Sequence, residues 1–361
     1  MAILTFLDIV QKESFRESVL QRLRAGIGNP TFVFPEKFPR LYKYRGLSKY
    51  AVNDIVHHTV TATSIGSFND LFDGAIHKYG SKEEIEQAAE QEWREFEEAF
   101  QKAGFPGPIL SHDDYTEQRR NYFKTKSRSI FRLPDYLGTY AACFSTENDS
   151  VLMWAHYADS QKGICIAYDF NQWGKEALQR KLLFPVAYSN VPVDVSDLVD
   201  NQKDKIAEYP LDEAVLCAAI NKSDVWKYEN EWRMIIVLDG KTQRIPLNIL
   251  VNPTAIYFGY HFLKSFFYYD GKDSKETDRA KDQAKESLNS FNKLIDFAIE
   301  NEIPVFLMLP NIRSYKMKEL KADAAILKKF VNQKFEGQTP KEIRFYNSIH
   351  DDLIELFEEE L

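Results

Sequence analysis

Two glutamates one residue apart, Glu229 and Glu231, head the apolar run WRMIIVL within the stretch YENEWRMIIVL. Side chains alternate across a strand, so both carboxylates are expected on one face, with Asn230 and Trp232 on the other. Two carboxylates held this close repel unless a cation, water or a hydroxyl-bearing ligand shares their site. The pair is therefore either a solvated sheet face or a device directed at a substrate. Other polar residues stand where the local pattern is apolar. Arg45 follows Leu41, Tyr42 and Tyr44 and precedes Gly46. A guanidinium there can take a phosphate or carboxylate through two N–H groups, or pair with a nearby acid. Ser145 and Thr146 close the run YAACF, setting two hydroxyls at a sheet edge or capping the next helix. Trp154, His156 and Tyr157 cluster in MWAHYAD, where an aromatic ring either stacks on a planar ligand or packs into a core.

These residues need a scaffold, and hydrophobic periodicity supplies one. LYKYRGL suits a short strand, TYAACFST a buried strand, SVLMWAHYAD a short helix, and GICIAYDF a second strand announced by Gly163. VAYSNV, WRMIIVL, IPLNILV, AIYFGYHF and PVFLML read as further strands. Helical spacing predicts a leading helix over residues 5–26, placed as an appendage, and helices over 194–222 and 280–301. Over 81–104 Ser81 and Glu84 form a capping box, and Ile85, Ala89, Trp93, Phe96 and Phe100 make one apolar stripe. The opposite face of that helix is rich in glutamate and reads as solvated. DGKDSKETD, residues 270–278, reads as a polar linker, and an acidic helix closes the chain. Strands dominate the middle and helices the ends. The expected fold class is α+β, with a mixed, mainly antiparallel sheet. The expected division is an N-terminal helical extension over 1–40, a main domain over 41–320 with a helical insertion at about 75–134, and a C-terminal helical extension over 321–361.

Composition removes several function classes. At 44% hydrophobic and 28% charged, the 361 residues have the balance of a globular protein. No apolar run approaches the roughly 20 residues a membrane span needs, and charge arrives early at the amino terminus, so a cytoplasmic location and no membrane partner are expected. Cys143, Cys165 and Cys217 form no CxxC pair, which speaks against a disulfide framework or zinc ribbon. His57 and His58 are adjacent and diverge in direction, there is no HExxH, and no metal is expected. GxGxxG, GxxxxGK[ST] and GxSxG are also absent. A net charge of -8 disfavours a large phosphate footprint. RRNYFKTKSRSIFR is the local exception. Its basic residues Arg119, Arg120, Lys124, Lys126, Arg128 and Arg132 form either a solvated helix face or a docking surface for a nucleic-acid or protein partner.

FNDLFDG, CFST, LMWAHYADSQKGICIAYDF and WKYENEWRMI, in this order after LYKYR, resemble a bacterial family of unknown function carrying FNDPFE, MWxHYADxHKGxxIxFD and YExEWR motifs. The resemblance spans roughly Leu41 to Lys318, with Leu71 in place of the family's proline and Gln161 in place of the histidine of HKG. The order arginine, serine, ExE is also similar to the R-S-E arrangement of ADP-ribosyltransferases. That resemblance implies a split, β-sandwich-like fold and NAD as the substrate. Arg45 would hold its phosphate or ribose, Ser145 and Thr146 would shape the nicotinamide pocket with Trp154, His156 and Tyr157, Glu231 would engage the nicotinamide ribose, and Glu229 would orient the acceptor. A toxin or anti-phage role is implied by the same resemblance. Two alternatives remain open at this point: a non-catalytic module that binds a nucleotide, nucleic acid or protein in a defence system, and a nuclease or other hydrolase worked by Asp70, Asp73 and His156.

Overall fold

A computed structural model of the chain describes residues 6–29, 32–76, 82–105, 107–108, 110–127, 131–132, 138–195, 198, 209–238, 243–267, 274–335 and 346–358. The fold is α+β. The strands are β1 (Leu41–Arg45), β2 (Thr59–Ser64), β3 (Ala75–Ile76), β4 (Phe131–Arg132), β5 (Thr139–Ser145), β6 (Ile164–Tyr168), β7 (Leu183–Pro185), β8 (Ala187–Ser189), β9 (Asn221–Ser223), β10 (Glu231–Val237), β11 (Arg244–Asn248), β12 (Pro253–Phe258), β13 (Val305–Pro310) and β14 (Met317–Ala322). The helices are α1 (Phe6–Ile9), α2 (Glu13–Ile27), α3 (Lys49–Val56), α4 (Lys82–Lys102), α5 (His112–Ser127), α6 (Val151–Tyr157), α7 (Leu178–Lys181), α8 (Pro210–Ile220), α9 (Ser274–Glu300), α10 (Ala324–Phe335) and α11 (Tyr346–Glu358).

The principal sheet runs β11-β2-β5-β1-β6-β12-β13-β14, and β10 joins β5 to β7. Its pairs are antiparallel except β12 with β13. The sheet branches at β5. On one edge β5 pairs with β10 along its whole length, from Val237 opposite Thr139 to Glu231 opposite Ser145. On the other edge its first half pairs with β2 (Ser64 opposite Tyr140, Thr63 opposite Ala141), whereas its last residue pairs with β1 (Tyr42 opposite Ser145). Two strands thus compete for one edge of β5, and between Ala141 and Ser145 neither pairs with it. The sheet is split there.

Close backbone approaches fix β1 and β6. A Cβ on Gly163 would lie 2.1 Å from the Arg45 carbonyl oxygen, and one on Gly259 would lie 2.2 Å from that of Gln161. The loop before Gly163 reaches this crossing through left-handed Asp159, Ser160 and Gln161. Only glycine fits at 163 and 259 without moving the neighbouring backbone, of β1 in the first case and of the loop before β6 in the second.

Several segments differ from the sequence reading. The leading helix is broken around Val10 to Lys12, which lets α1 face β10 while α2 faces α8 and β8. Expected as an appendage, it instead sets Phe6, Val10, Phe15, Val19 and Leu23 into the same core as the sheet. Tyr346, Ile349, Leu353 and Phe357 of α11 join that core from the other terminus. Helix α8 stops at Ile220, and Asn221–Ser223 becomes a strand parallel to β8. The expected polar linker yields at Ser274 to α9, a 27-residue amphipathic helix packed on α3 and α10. Strand β14 has no counterpart among the strands expected from the sequence. The capping box at Ser81 and Glu84 lies outside the described side chains.

Candidate functional site

A cavity of about 200 Å³ opens at the split. Tyr42, Lys43 and Tyr44 of β1 form one wall and Thr61 and Thr63 of β2 the other, while Ala141, Cys143, Phe144 and Ser145 of β5 make the floor. Glu229, Glu231, Lys222, Asp73 and Tyr157 line the remaining side.

Beneath that side lies a buried charge cluster. Arg233, with no exposed surface, donates from Nη1 and Nη2 to the two carboxylate oxygens of Asp73 at 2.6 and 2.7 Å. Its Nε and Nη2 donate to the Oε1 and Oε2 of Glu231 at 2.9 Å each, and Nη1 also reaches the Ala219 carbonyl at 2.7 Å. Lys222 donates to Glu229 Oε2 at 2.5 Å and to Glu231 Oε2 at 3.0 Å, with Asp73 3.8 Å away. Such double forks hold their partners in position and offset the large cost of burying charge. Asp73 arrives from the FNDLFDG turn, where Asp70 accepts the Phe72 N–H. Lys222 arrives from β9, just past the apolar helix α8.

The glutamate doublet is not a strand pair. Glu229 ends a 3-10 turn (Asp224–Glu229), Asn230 adopts a left-handed conformation (φ 43°), and β10 begins at Glu231. Both carboxylates still meet, because the left-handed residue turns the chain back toward Lys222. Their environments differ. Burial opposes the charge of Glu231, but Arg233 and Lys222 outweigh it and hold the carboxyl down at about 2. In Glu229 burial prevails over the stabilising Lys222, Glu231 adds to it, and the pKa is raised. The Tyr157 hydroxyl donates to Glu229 Oε1 at 2.5 Å. Three carboxylates (Asp73, Glu229, Glu231) face two cations (Lys222, Arg233), and Glu229 is the one with a single cation at hand and a raised pKa.

Ser145 donates its Oγ hydrogen to the Glu229 carbonyl at 2.7 Å and accepts the Glu147 N–H at 3.1 Å. It therefore ties the floor of the cavity to the glutamate turn. Thr146 takes part through its backbone N–H, which donates to the Asn230 carbonyl at 3.2 Å, and its side chain is not on the cavity lining. Cys143 lies on the floor, its thiol pushed well above the usual value by burial and then by Glu231. Both effects favour the neutral thiol over the reactive thiolate.

The expected cluster MWAHYAD divides. Tyr157 lines the cavity. Trp154, expected as a stacking platform, is wholly buried, meets Tyr44 edge-on at 5.2 Å, and donates Nε1–H to the Asn148 carbonyl at 2.7 Å. It shapes the β1 wall from behind. His156 is exposed beside Tyr228, off the cavity lining. Arg45 is also off the lining: it pairs with Asp54 at 2.6 Å, and Asp54 accepts from Thr59 and Thr61. That pair braces β1 against β2 across the split. Asp70, Asp73 and His156 do not converge, since Asp73 is committed to Arg233 and His156 to Tyr228.

Among the basic residues of α5, Arg119 pairs with Glu92 and Arg120 with Glu86, both on α4. The glutamate face of α4 therefore meets α5 and is not simply solvated. The side chains of Lys124, Lys126, Arg128 and Arg132 lie outside the described residues. No group of three His, Cys, Asp or Glu suited to a metal ion occurs among the described residues, and no described helix is long and apolar enough to cross a membrane.

Lys222, Arg233 and Lys43 escaped the sequence reading, and Asp73 entered it only as a hydrolase candidate. Arg233 had a local signal, a charge inside the run WRMIIV, as did Lys222, two residues past the apolar run VLCAAI. The pairing of Asp73 with Arg233 had none, because 160 residues separate the two.

Comparison with curated proteins and with solved structures yields no match. Residues 153–234, from Met153 in α6 to Met234 in β10 and including both cavity glutamates, match the model of the family described as Protein of unknown function (DUF2971).

Proposed function

We propose that the cleft at the split of the sheet cleaves the nicotinamide glycosidic bond of NAD and transfers ADP-ribose to an acceptor. The observation that carries this reading is the cross-strand alignment of Ser145 with Glu231 on one side and Tyr42 on the other, beside Glu229, at a gap between two strands. A serine and a carboxylate pair at such a gap suit a reaction whose sugar becomes oxocarbenium-like, since a nearby carboxylate stabilises positive charge as it develops. Glu229 is the working carboxylate in this proposal. It is the carboxylate of the cluster with a single cation partner, and Tyr157 can exchange its hydrogen bond for a ligand hydroxyl. Glu231, locked between Arg233 and Lys222, acts as a positioning residue that keeps Lys222 and the glutamate turn in place. A cavity of about 200 Å³ takes the nicotinamide end, and the rest of the dinucleotide would extend over the open surface.

Labelled NAD incubated with the full chain and cell lysate tests the proposal. Release of nicotinamide or transfer of label, lost in Glu229→Gln, supports it. NAD binding without turnover would instead favour a non-catalytic nucleotide-binding module, and no binding would remove NAD from consideration. A toxin or anti-phage context rests on resemblance and holds only if turnover is found.

A further inference from the structure

We propose that Lys43, and not Arg45, is the group of this cleft that receives an anion, and that the anion is a phosphate of the ligand. The choice of phosphate rests on the NAD reading; the choice of Lys43 rests on geometry alone. Lys43 lies where β1 parts from β5, just past the Tyr42–Ser145 pair. Its ammonium crosses the gap to donate to the Cys143 carbonyl at 3.0 Å, an acceptor left without a strand partner by the split. The face of Phe144 flanks it at 5.0 Å. An ammonium has three donors, so two remain for a ligand. No carboxylate stands within ion-pair distance of Lys43 among the described residues. The other lysine on the lining, Lys222, is saturated by Glu229 and Glu231, and Arg45 is committed to Asp54. The carboxylates of the lining are in turn occupied by Lys222, Arg233 and Tyr157, which leaves Lys43 the available charge.

Its surroundings give the binding a pH dependence. Burial, then Arg45 beside it on β1, lowers Lys43 to about 8, against the weaker pull of Cys143 on β5, Asp54 on α3 and Glu231 on β10. An anion binds the protonated amine, so affinity is full below that value and falls by about tenfold per pH unit above it.

Calorimetric titration of the full chain with ADP-ribose, inorganic pyrophosphate and nicotinamide riboside, at pH 7 and pH 9, tests the assignment. Lys43→Met is expected to weaken ADP-ribose by about 10- to 100-fold while leaving the phosphate-free riboside within about twofold. Lys43→Arg is expected to keep at pH 9 the ADP-ribose affinity that the wild type loses. Equal loss of both ligands in Lys43→Met, no change in it, a larger loss in Arg45→Met, or no phosphate binding by the wild type would each overturn the assignment. Should the riboside not bind by itself, the Lys43→Arg comparison decides. Pyrophosphate binding that depends on Lys43, with NAD neither bound nor cleaved, would sink the NAD reading and leave Lys43 standing.

Discussion

Charged residues pair across helices on the α4–α5 hairpin and between a strand and a turn beneath the cleft, yet the two regions obey different physics. On the hairpin, Arg120 and Glu86 meet at 2.8 Å with much of both side chains in solvent. Water screens the attraction and salt screens it further, within a Debye length of about 8 Å at physiological ionic strength. Under the cleft, Arg233 and Asp73 meet at the same short range with essentially no solvent. There each partner depends on the other, because a lone charge in that place has nowhere to find hydration. Similar distances therefore carry unequal consequences, and burial makes the difference.

The largest expected effect comes from removing one partner of the buried set. Arg233→Met should cost about 3–5 kcal/mol in denaturant unfolding, since Asp73 and Glu231 are left with Lys222 alone. Adding Asp73→Asn should recover part of that loss, and a double-mutant cycle reads the coupling; strict additivity would mean the cluster is not a unit. Glu229→Gln comes next. It should lower NAD cleavage by about 10²- to 10³-fold with the fold intact by thermal melting, and unchanged turnover would contradict the role given to Glu229.

Acid titration sharpens the contrast further. The Glu231 carboxyl is held at about 2 in the folded chain against 4.5 ordinarily. Its contribution to stability is therefore full above pH 4.5 and disappears as pH falls toward 2. Wild type should lose stability more steeply through that window than Glu231→Gln, and parallel curves would count against the cluster. The smallest effect belongs to the hairpin, where Arg120→Ala should change stability by about 0–1 kcal/mol, and less at high salt.

The same contrast explains which elements are legible in the sequence. Strands such as TYAACFS and ICIAY, and the helix VLMWAHY, are legible because burial of whole runs leaves a local hydrophobic signature. Strand β14, MKELKA, is not, because half its residues face solvent and its lysines mask the pattern. The glutamate doublet stands out, yet its geometry departs from a strand, since nothing in YENEW announces that Asn230 turns left-handed. Ser145 and Glu231 stand out separately, and their direct pairing is a matter of register that no local pattern encodes. Arg45 resembles the cation of the site because of its glycine neighbour. Asp54, nine residues on, claims it, and Lys43 is inconspicuous between two tyrosines.

The glycine crossing behind β1 bears on how cavity width is set. With the Arg45 carbonyl occupying the space a side chain would need at residue 163, even a methyl group there must shove β1 sideways. That strand can shift, because its far edge is tied to β5 only at Tyr42, and the Arg45–Asp54 pair that braces it to β2 would be displaced with it. A substitution remote from every ligand-facing atom would thus be felt as a change in aperture, making residue 163 a dial for access to the interior.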